Sequence, residues 1–172
     1  RLCRDWSSDV CSSDLAATLE LTVIGPELVF AHDALIALCG AEFGATLDGR
    51  ALPRDRPVLA RARSRLVCGR ALRGSRAYLA IAGGIALEPV LGSRSTYLPA
   101  RFGGLEGRAL RAGDTLPLAP DAAGLAAARY AQLAAGATRR DGVETVRWSA
   151  PPLTLPDREP IVLQDRKSVV EG

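Results

Sequence analysis

The sequence predicts a mainly β domain, built as a barrel or a sandwich, followed by one helix near residues 121–135. Three observations carry this. Up to about residue 118 the apolar residues come in short runs of strand length, punctuated by Gly, Pro and Asp-Gly pairs. From Pro120 the texture changes to the Ala-rich stretch "DAAGLAAARYAQLAAG", whose residues favour helix. Finally, 48% hydrophobic and 24% charged residues in a chain of 172 suit a packed domain rather than a disordered one.

The elements follow in order. "TLELTVIG" alternates in part and ends at the turn pair Gly25 and Pro26, and "ELVF" runs up to His32 and Asp33. "ALIALCG" is a short apolar run closed by Gly40. In "ATLDGRALP", Asp48 and Gly49 predict a hairpin, because that dipeptide tolerates positive φ at both turn positions. "PVLARARSRLVCG" sets Arg61, Arg63 and Arg65 at period two, which would place all three on one strand face, either as a solvated surface or as a basic stripe toward a ligand. "SRAYLAIAGGIAL" reads as a buried strand stopping at Gly83 and Gly84, and "LRAGDTLPL" as a turn at Gly113 and Asp114 followed by a short strand. In the Ala-rich stretch, Asp121 is a candidate N-cap and Gly136 a candidate terminator. "ATRRDGVETVRWSAPPLTLPDREP" is polar and Pro-punctuated, a loop or linker with one strand, "VETVRWS". "PIVL" reads as a strand at its start.

Both ends differ from the middle. Residues 1–15, "RLCRDWSSDVCSSDL", hold a tandem near-repeat and two of the four cysteines, Cys3 and Cys11. Residues 164–172 hold Lys167, the sole lysine of a chain otherwise basic through Arg. Both stretches resemble translated sequencing-adapter read-through, and are read as non-native tails set apart from the fold. The competing reading is a pair of disordered tails with a Cys3–Cys11 disulfide. The Lys-poor, Ala-, Arg-, Gly- and Leu-rich interior points to a GC-rich bacterial gene.

Composition also excludes functions. A net charge of +3, dispersed along the chain, gives no footprint for nucleic acid or a membrane surface. No apolar run reaches the roughly 18 residues that a spanning helix needs. With tails set aside, Cys39 and Cys68 remain beside a single histidine, His32, too few ligands for a zinc site, so no metal is expected. Both cysteines sit in apolar runs and are expected to be small buried hydrophobes in a reducing, cytoplasmic setting.

One stretch concentrates chemistry. "LGSRSTY", residues 91–97, sets three hydroxyls and one guanidinium beside Gly92, between the glycine pairs 83–84 and 103–104. Arg94 is suited to grip a carboxylate bidentately, Ser93, Ser95 and Thr96 to add donors, and the backbone beside Gly92 to form an oxyanion hole. The alternative is a self-contained polar turn, its hydroxyls capping their own backbone and Arg94 paired with Glu106 or Asp114. No dinucleotide fingerprint, phosphate loop or G-x-S-x-G elbow occurs. His32 has no evident Ser partner and is expected to be exposed or locally bonded. Asp33 and Glu106 are unpaired candidate carboxylates, and Tyr78 and Tyr97 core or rim aromatics.

The words "RAYLAIAGGI", "VLGSRSTY" and "FGGLEGRALRAGD", with the run from "ATLELTVIGPELVF" to "AGDTLPL", resemble the biotin-dependent carboxyltransferase family. It comprises allophanate hydrolase subunit 2, the C-subunit of 5-oxoprolinase, the antagonist of the Kip kinase inhibitor, and the matching half of the carboxyltransferase domain of urea carboxylase. The resemblance implies a cyclophilin-like β-barrel, incomplete here. Residues 16–118 would be part of the barrel domain and residues 119–163 a helix and Pro-rich linker to a missing C-terminal half. The family words "TTVQDxGRxG", "GAMD" and "DRQTTGGYP" are not in the sequence, so the chain alone is expected to be inactive. Implied first is the C-subunit of an ATP-dependent 5-oxoprolinase, opening a lactam to glutamate with a Kip inhibitor-like partner (the B-subunit type) and a third subunit. A carboxyltransferase half-domain of a urea carboxylase or amidolyase is the alternative, as is a non-catalytic regulatory partner of a kinase inhibitor. ATP would act at the level of the complex. Biotin would come from another domain, since Lys167 lies in no biotinyl-lysine motif. The resemblance assigns Gly92, Ser93, Arg94, Ser95 and Thr96 to an amide or lactam substrate, with Gly83, Gly84, Gly103 and Gly104 supporting the backbone. It leaves the catalytic residues unknown.

Overall fold

The computed structural model describes residues 16–133 and 137–150. The two tails, the candidate terminator Gly136 and the "PIVL" strand lie outside the described residues. The fold is mainly β with a single helix. The strands are β1 (Leu19–Thr22), β2 (Glu27–Val29), β3 (Ala34–Glu42), β4 (Thr46–Leu47), β5 (Arg50–Ala51), β6 (Val58–Ala60), β7 (Arg65–Val67), β8 (Arg73–Ile81), β9 (Ala137–Arg140) and β10 (Val143–Val146). The helix, α1, is Ala122–Leu133. All pairings are antiparallel, in a six-stranded sheet of order β1-β8-β3-β6-β10-β9 and a four-stranded sheet of order β2-β7-β4-β5. Among the described residues the two sheets do not close into a barrel.

The apolar pattern explains the layers. Leu21, Ile36, Leu38, Leu47, Val58, Leu66, Leu79 and Ile81 face one another between the sheets, with Phe30 and Phe43 filling the ends. Along β3, Leu35 and Ala37 point the other way, where Ala80, Ala82 and Ala126 of α1 cover them. That is why "ALIAL" reads as a continuous apolar run: both faces of this central strand are buried. Small residues on the facing surfaces let α1 sit close, Ala126 being fully buried.

Local chemistry sets the connections. Asp48 and Gly49 take positive φ and turn β4 into β5, as the dipeptide predicts. Arg61, Arg63 and Arg65 do not share a strand face. β6 ends at Ala60, Arg63 turns the chain at φ 68°, and β7 begins at Arg65. The period-two spacing therefore straddles a turn. Arg61 ties Asp33 and Glu144, at 2.9 and 2.8 Å, while Arg65 pairs with Glu27. The stretch read as a linker with one strand contains a hairpin, β9–β10, turned at Asp141 and Gly142. The strand expected after Asp114 is a single bridge, Leu118 to Ile85. Cys68 is a buried free thiol as expected; Cys39 is not, being half-buried and disulfide-bonded. It sits where β3 runs out from under its covers.

Candidate functional site

At the end of β8 the chain turns through Gly83 and Gly84, and Ile85 bridges to both Ala17 and Leu118. Ala86 N–H donates to Pro117 O at 2.8 Å. Residues 87–116 are thus an excursion that leaves and re-enters the sheet at one point, and "LGSRSTY" lies on it. Gly83 and Gly84 support the root rather than the loop. A Cβ at 83 would press on Ala119 and α1, and one at 84 on Ala16.

Within the excursion the site residues fall into two groups. Leu91 (φ 51°) and Gly92 (φ 76°) form a two-residue turn closed by reciprocal Val90–Ser93 backbone bonds of 2.8 and 3.0 Å. Ser93 Oγ accepts from Ser95 N–H at 3.1 Å. Arg94 donates from Nε to Leu87 O at 2.8 Å, which fixes the guanidinium plane on the half-buried side of the loop. Tyr97 and Phe102 then bridge across the short 3₁₀ turn Leu98–Ala100, their rings 5.5 Å apart. That return brings Gly103 onto the Ser95 carbonyl and Gly104 onto Thr96, so close that no side chain fits at either glycine. Ser95, Thr96, Gly103 and Gly104 are therefore brought together; Gly92 and Ser93 stand apart on the exposed turn.

Donor availability decides what the loop can do. Ser93 and Ser95 spend their N–H groups internally, whereas the Gly92 and Thr96 N–H groups make no hydrogen bond among the described residues. The turn thus caps itself and also keeps two N–H groups, at Gly92 and Thr96, that its own backbone does not use. His32 is exposed and Asp33 is taken by Arg61 and the Ala62 N–H.

Arg94 pairs with neither Glu106 nor Asp114. Arg108 does, and its importance was missed in the sequence. It donates from Nη1 and Nη2 to the two Asp114 oxygens at 2.7 and 2.9 Å, and from Nε to Glu106 at 2.9 Å. Arg111 N–H adds a bond to Asp114 at 2.7 Å. The Arg108 fork and this backbone donor hold the Asp114 carboxyl down at about 2. The signal that could have found it is the pair Arg108 and Asp114, six residues apart across the Gly113 turn.

The family model for the carboxyltransferase domain, subdomain A and B, matches residues 10–154. This chain belongs to that family. The carboxyltransferase-family chain is 44% identical over 103 residues to the 5-oxoprolinase C-subunit of Escherichia coli, covering 60% of this chain and 33% of that protein. It is 42% identical over 98 residues to the urea amidolyase of Saccharomyces cerevisiae, covering 57% of this chain and 5% of that one. In three dimensions it is similar to the crystal structure of the Kluyveromyces lactis urea carboxylase, with a TM-score of 0.63 at 33% identity, over 69% of this chain and 11% of that one. The carboxyltransferase-family chain thus spans a third or less of the length of these relatives. No helix among its described residues is long and apolar enough to cross a membrane.

Proposed function

We propose that this chain is part of the C-subunit of an ATP-dependent 5-oxoprolinase, a multi-subunit hydrolase that opens the lactam of 5-oxoproline to glutamate. The observation that carries the reading is the 44% identity to the 5-oxoprolinase C-subunit, a separate protein of which this chain covers 33%. In this reading a Kip inhibitor-like protein and a third subunit make up the rest of the enzyme, working in the cytoplasm.

The loop's part is to bind. Arg94 receives the substrate carboxylate, and the Gly92 and Thr96 N–H groups of the same loop meet a carbonyl oxygen as its charge develops. Ser93 Oγ, accepting the Ser95 N–H, holds the turn in shape, and the Tyr97–Phe102 ring pair forms an apolar flank. ATP would act at the level of the assembled complex, and biotin, if the reaction uses it, would be supplied by another domain. No step here passes through either group.

A second reading, the carboxyltransferase half-domain of a urea carboxylase, is favoured by the 42% identity to a urea amidolyase and the TM-score of 0.63 to the urea carboxylase structure. One assay separates them. The full-length protein that contains this chain is assembled with the other oxoprolinase subunits and given 5-oxoproline and ATP. Glutamate release, lost on Arg94→Ala, is the expected result. No glutamate release, with ATP- and biotin-dependent carboxylation of urea instead, would establish the second reading. Activity in neither assay, with retained binding to a kinase inhibitor, would make the protein a regulatory partner.

A further inference from the structure

The two Asp-Gly hairpins meet. β5 is an edge of the four-stranded sheet and β9 an edge of the six-stranded one. Between them no strand pairing exists among the described residues; the seam is bridged by side chains. Arg50, just after the first turn, donates from Nη1 to Gly142 O in the second at 2.8 Å. Arg139 donates from Nε to the same oxygen at 3.4 Å. A cavity of about 120 Å³ opens beside them, with buried Leu47, Leu59 and Val143 in its walls.

The charges around this cavity are unevenly matched. Arg61 is fully committed, to Asp33 at 2.9 Å and to Glu144 at 2.8 Å. Of the two acids on the cavity wall, Glu144 is thereby neutralised, and Asp48 keeps its charge with one oxygen turned to the Arg65 N–H at 2.8 Å; against it stand the charges of Arg50 and Arg139. Arg50 and Arg139 have no such partner. Among the described residues no carboxylate lies within ion-pair distance of either, and both cations converge on one neutral carbonyl. Two guanidiniums so placed repel each other, and each keeps N–H donors in a fork suited to a planar or tetrahedral oxyanion. The volume equals about four waters, enough for one such group, and the apolar walls raise the strength of a charge-assisted bond made against them.

We propose that the cavity between the two hairpins binds a small oxyanion, a carboxylate or phosphate group, gripped between Arg50 and Arg139 so that the anion closes the seam between the sheets. The proposal does not rest on the 5-oxoprolinase reading and uses none of residues 92–96.

The test titrates the full chain with sodium phosphate and sodium acetate, with sodium chloride at matched ionic strength as reference. Backbone amide shifts at Arg139 and Gly142 and the thermal midpoint are followed. Saturable shifts at these two positions and a rise in the midpoint beyond that in chloride are expected from at least one probe. Acetate alone would identify a carboxylate, phosphate alone a phosphoryl group. Arg139→Gln, on an exposed edge strand, and Arg50→Gln should each weaken binding about tenfold or more. Amides of the central strands β3 and β8 report whether either variant disturbs the fold; if Arg50→Gln does, Arg139→Gln decides. Shifts no larger than in chloride, shifts that never saturate, or unchanged affinity in Arg139→Gln would overturn the proposal.

Discussion

Thr96 Oγ1 occupies the space where a side chain on Gly104 would begin. The contact joins the hydroxyl-rich turn to the glycine-rich return, and position 104 also needs φ 54°. Gly104→Ala should therefore displace Thr96 and cost roughly 1–3 kcal/mol in local stability. Gly92→Ala is the control: φ is 76° there too, but nothing lies within 4 Å of the new methyl group. Its cost should be the backbone term alone, about 1–2 kcal/mol or less. Amide exchange at Tyr97 and Gly107, whose N–H groups are bonded to Phe102 O and Gly103 O, measures the difference; equal loss of protection in both variants would contradict it.

Asp114 gives the excursion a pH dependence. Its carboxyl lies at about 2 when held by Arg108, against an ordinary 3.8. The clamp's contribution is fully present above about pH 4, where folded and unfolded chains both carry the charge, and is lost as pH falls from there to about 2. An NMR titration of the Asp114 carboxyl carbon should give a midpoint near 2. Arg108→Gln should return it toward 3.8, and a midpoint unmoved by that substitution would refute the assignment.

Thr145 is fully buried and donates from Oγ1 to Pro57 O at 2.8 Å, where β10 meets β6 through a single register pair, Thr145 opposite Val58. Thr145→Val keeps the shape and leaves the Pro57 carbonyl without that donor. A loss of about 1–2 kcal/mol in urea unfolding is expected. A neutral result would mean the β9–β10 hairpin is held by its other contacts.

Cys68 is 2% exposed, and burial pushes its thiol up to about 11. At pH 8 the native protein should be alkylated at Cys68 at least about a hundredfold more slowly than the urea-unfolded chain, because both thiolate and access are lost on folding. Peptide mass spectrometry reads the rate at this cysteine directly.

How much of this the sequence disclosed varies with the range of the cause. The Asp48 and Gly49 turn, the helix at 122–133 and the strands "ELV" and "ALIAL" are local, and their residues state them. The β9–β10 hairpin carried the same Asp-Gly signal at 141 and 142; "VETVRWS" reads as a strand and contains β10, but the polar "ATRR" hid β9 and with it the pairing. Arg61, Arg63 and Arg65 misled because period two means a common face only while the chain stays extended, and Arg63 turns it. In the candidate site the words marked a loop but not its wiring. The alternative reading of Arg94, a pairing with Glu106 or Asp114, does not hold: Arg94 donates to the Leu87 carbonyl, while Arg108 takes both acids. Which arginine reaches which carboxylate depends on how the glycines fold the excursion back, and that is tertiary information.

The bond between Ala86 and Pro117 bears on how such a protein can change. Thirty residues enter and leave through one doorway, tied largely to one another. Only Leu87 and Leu116, at its two ends, are among the residues packed on the main core, so changes of length between them should leave the register of the strands behind it intact.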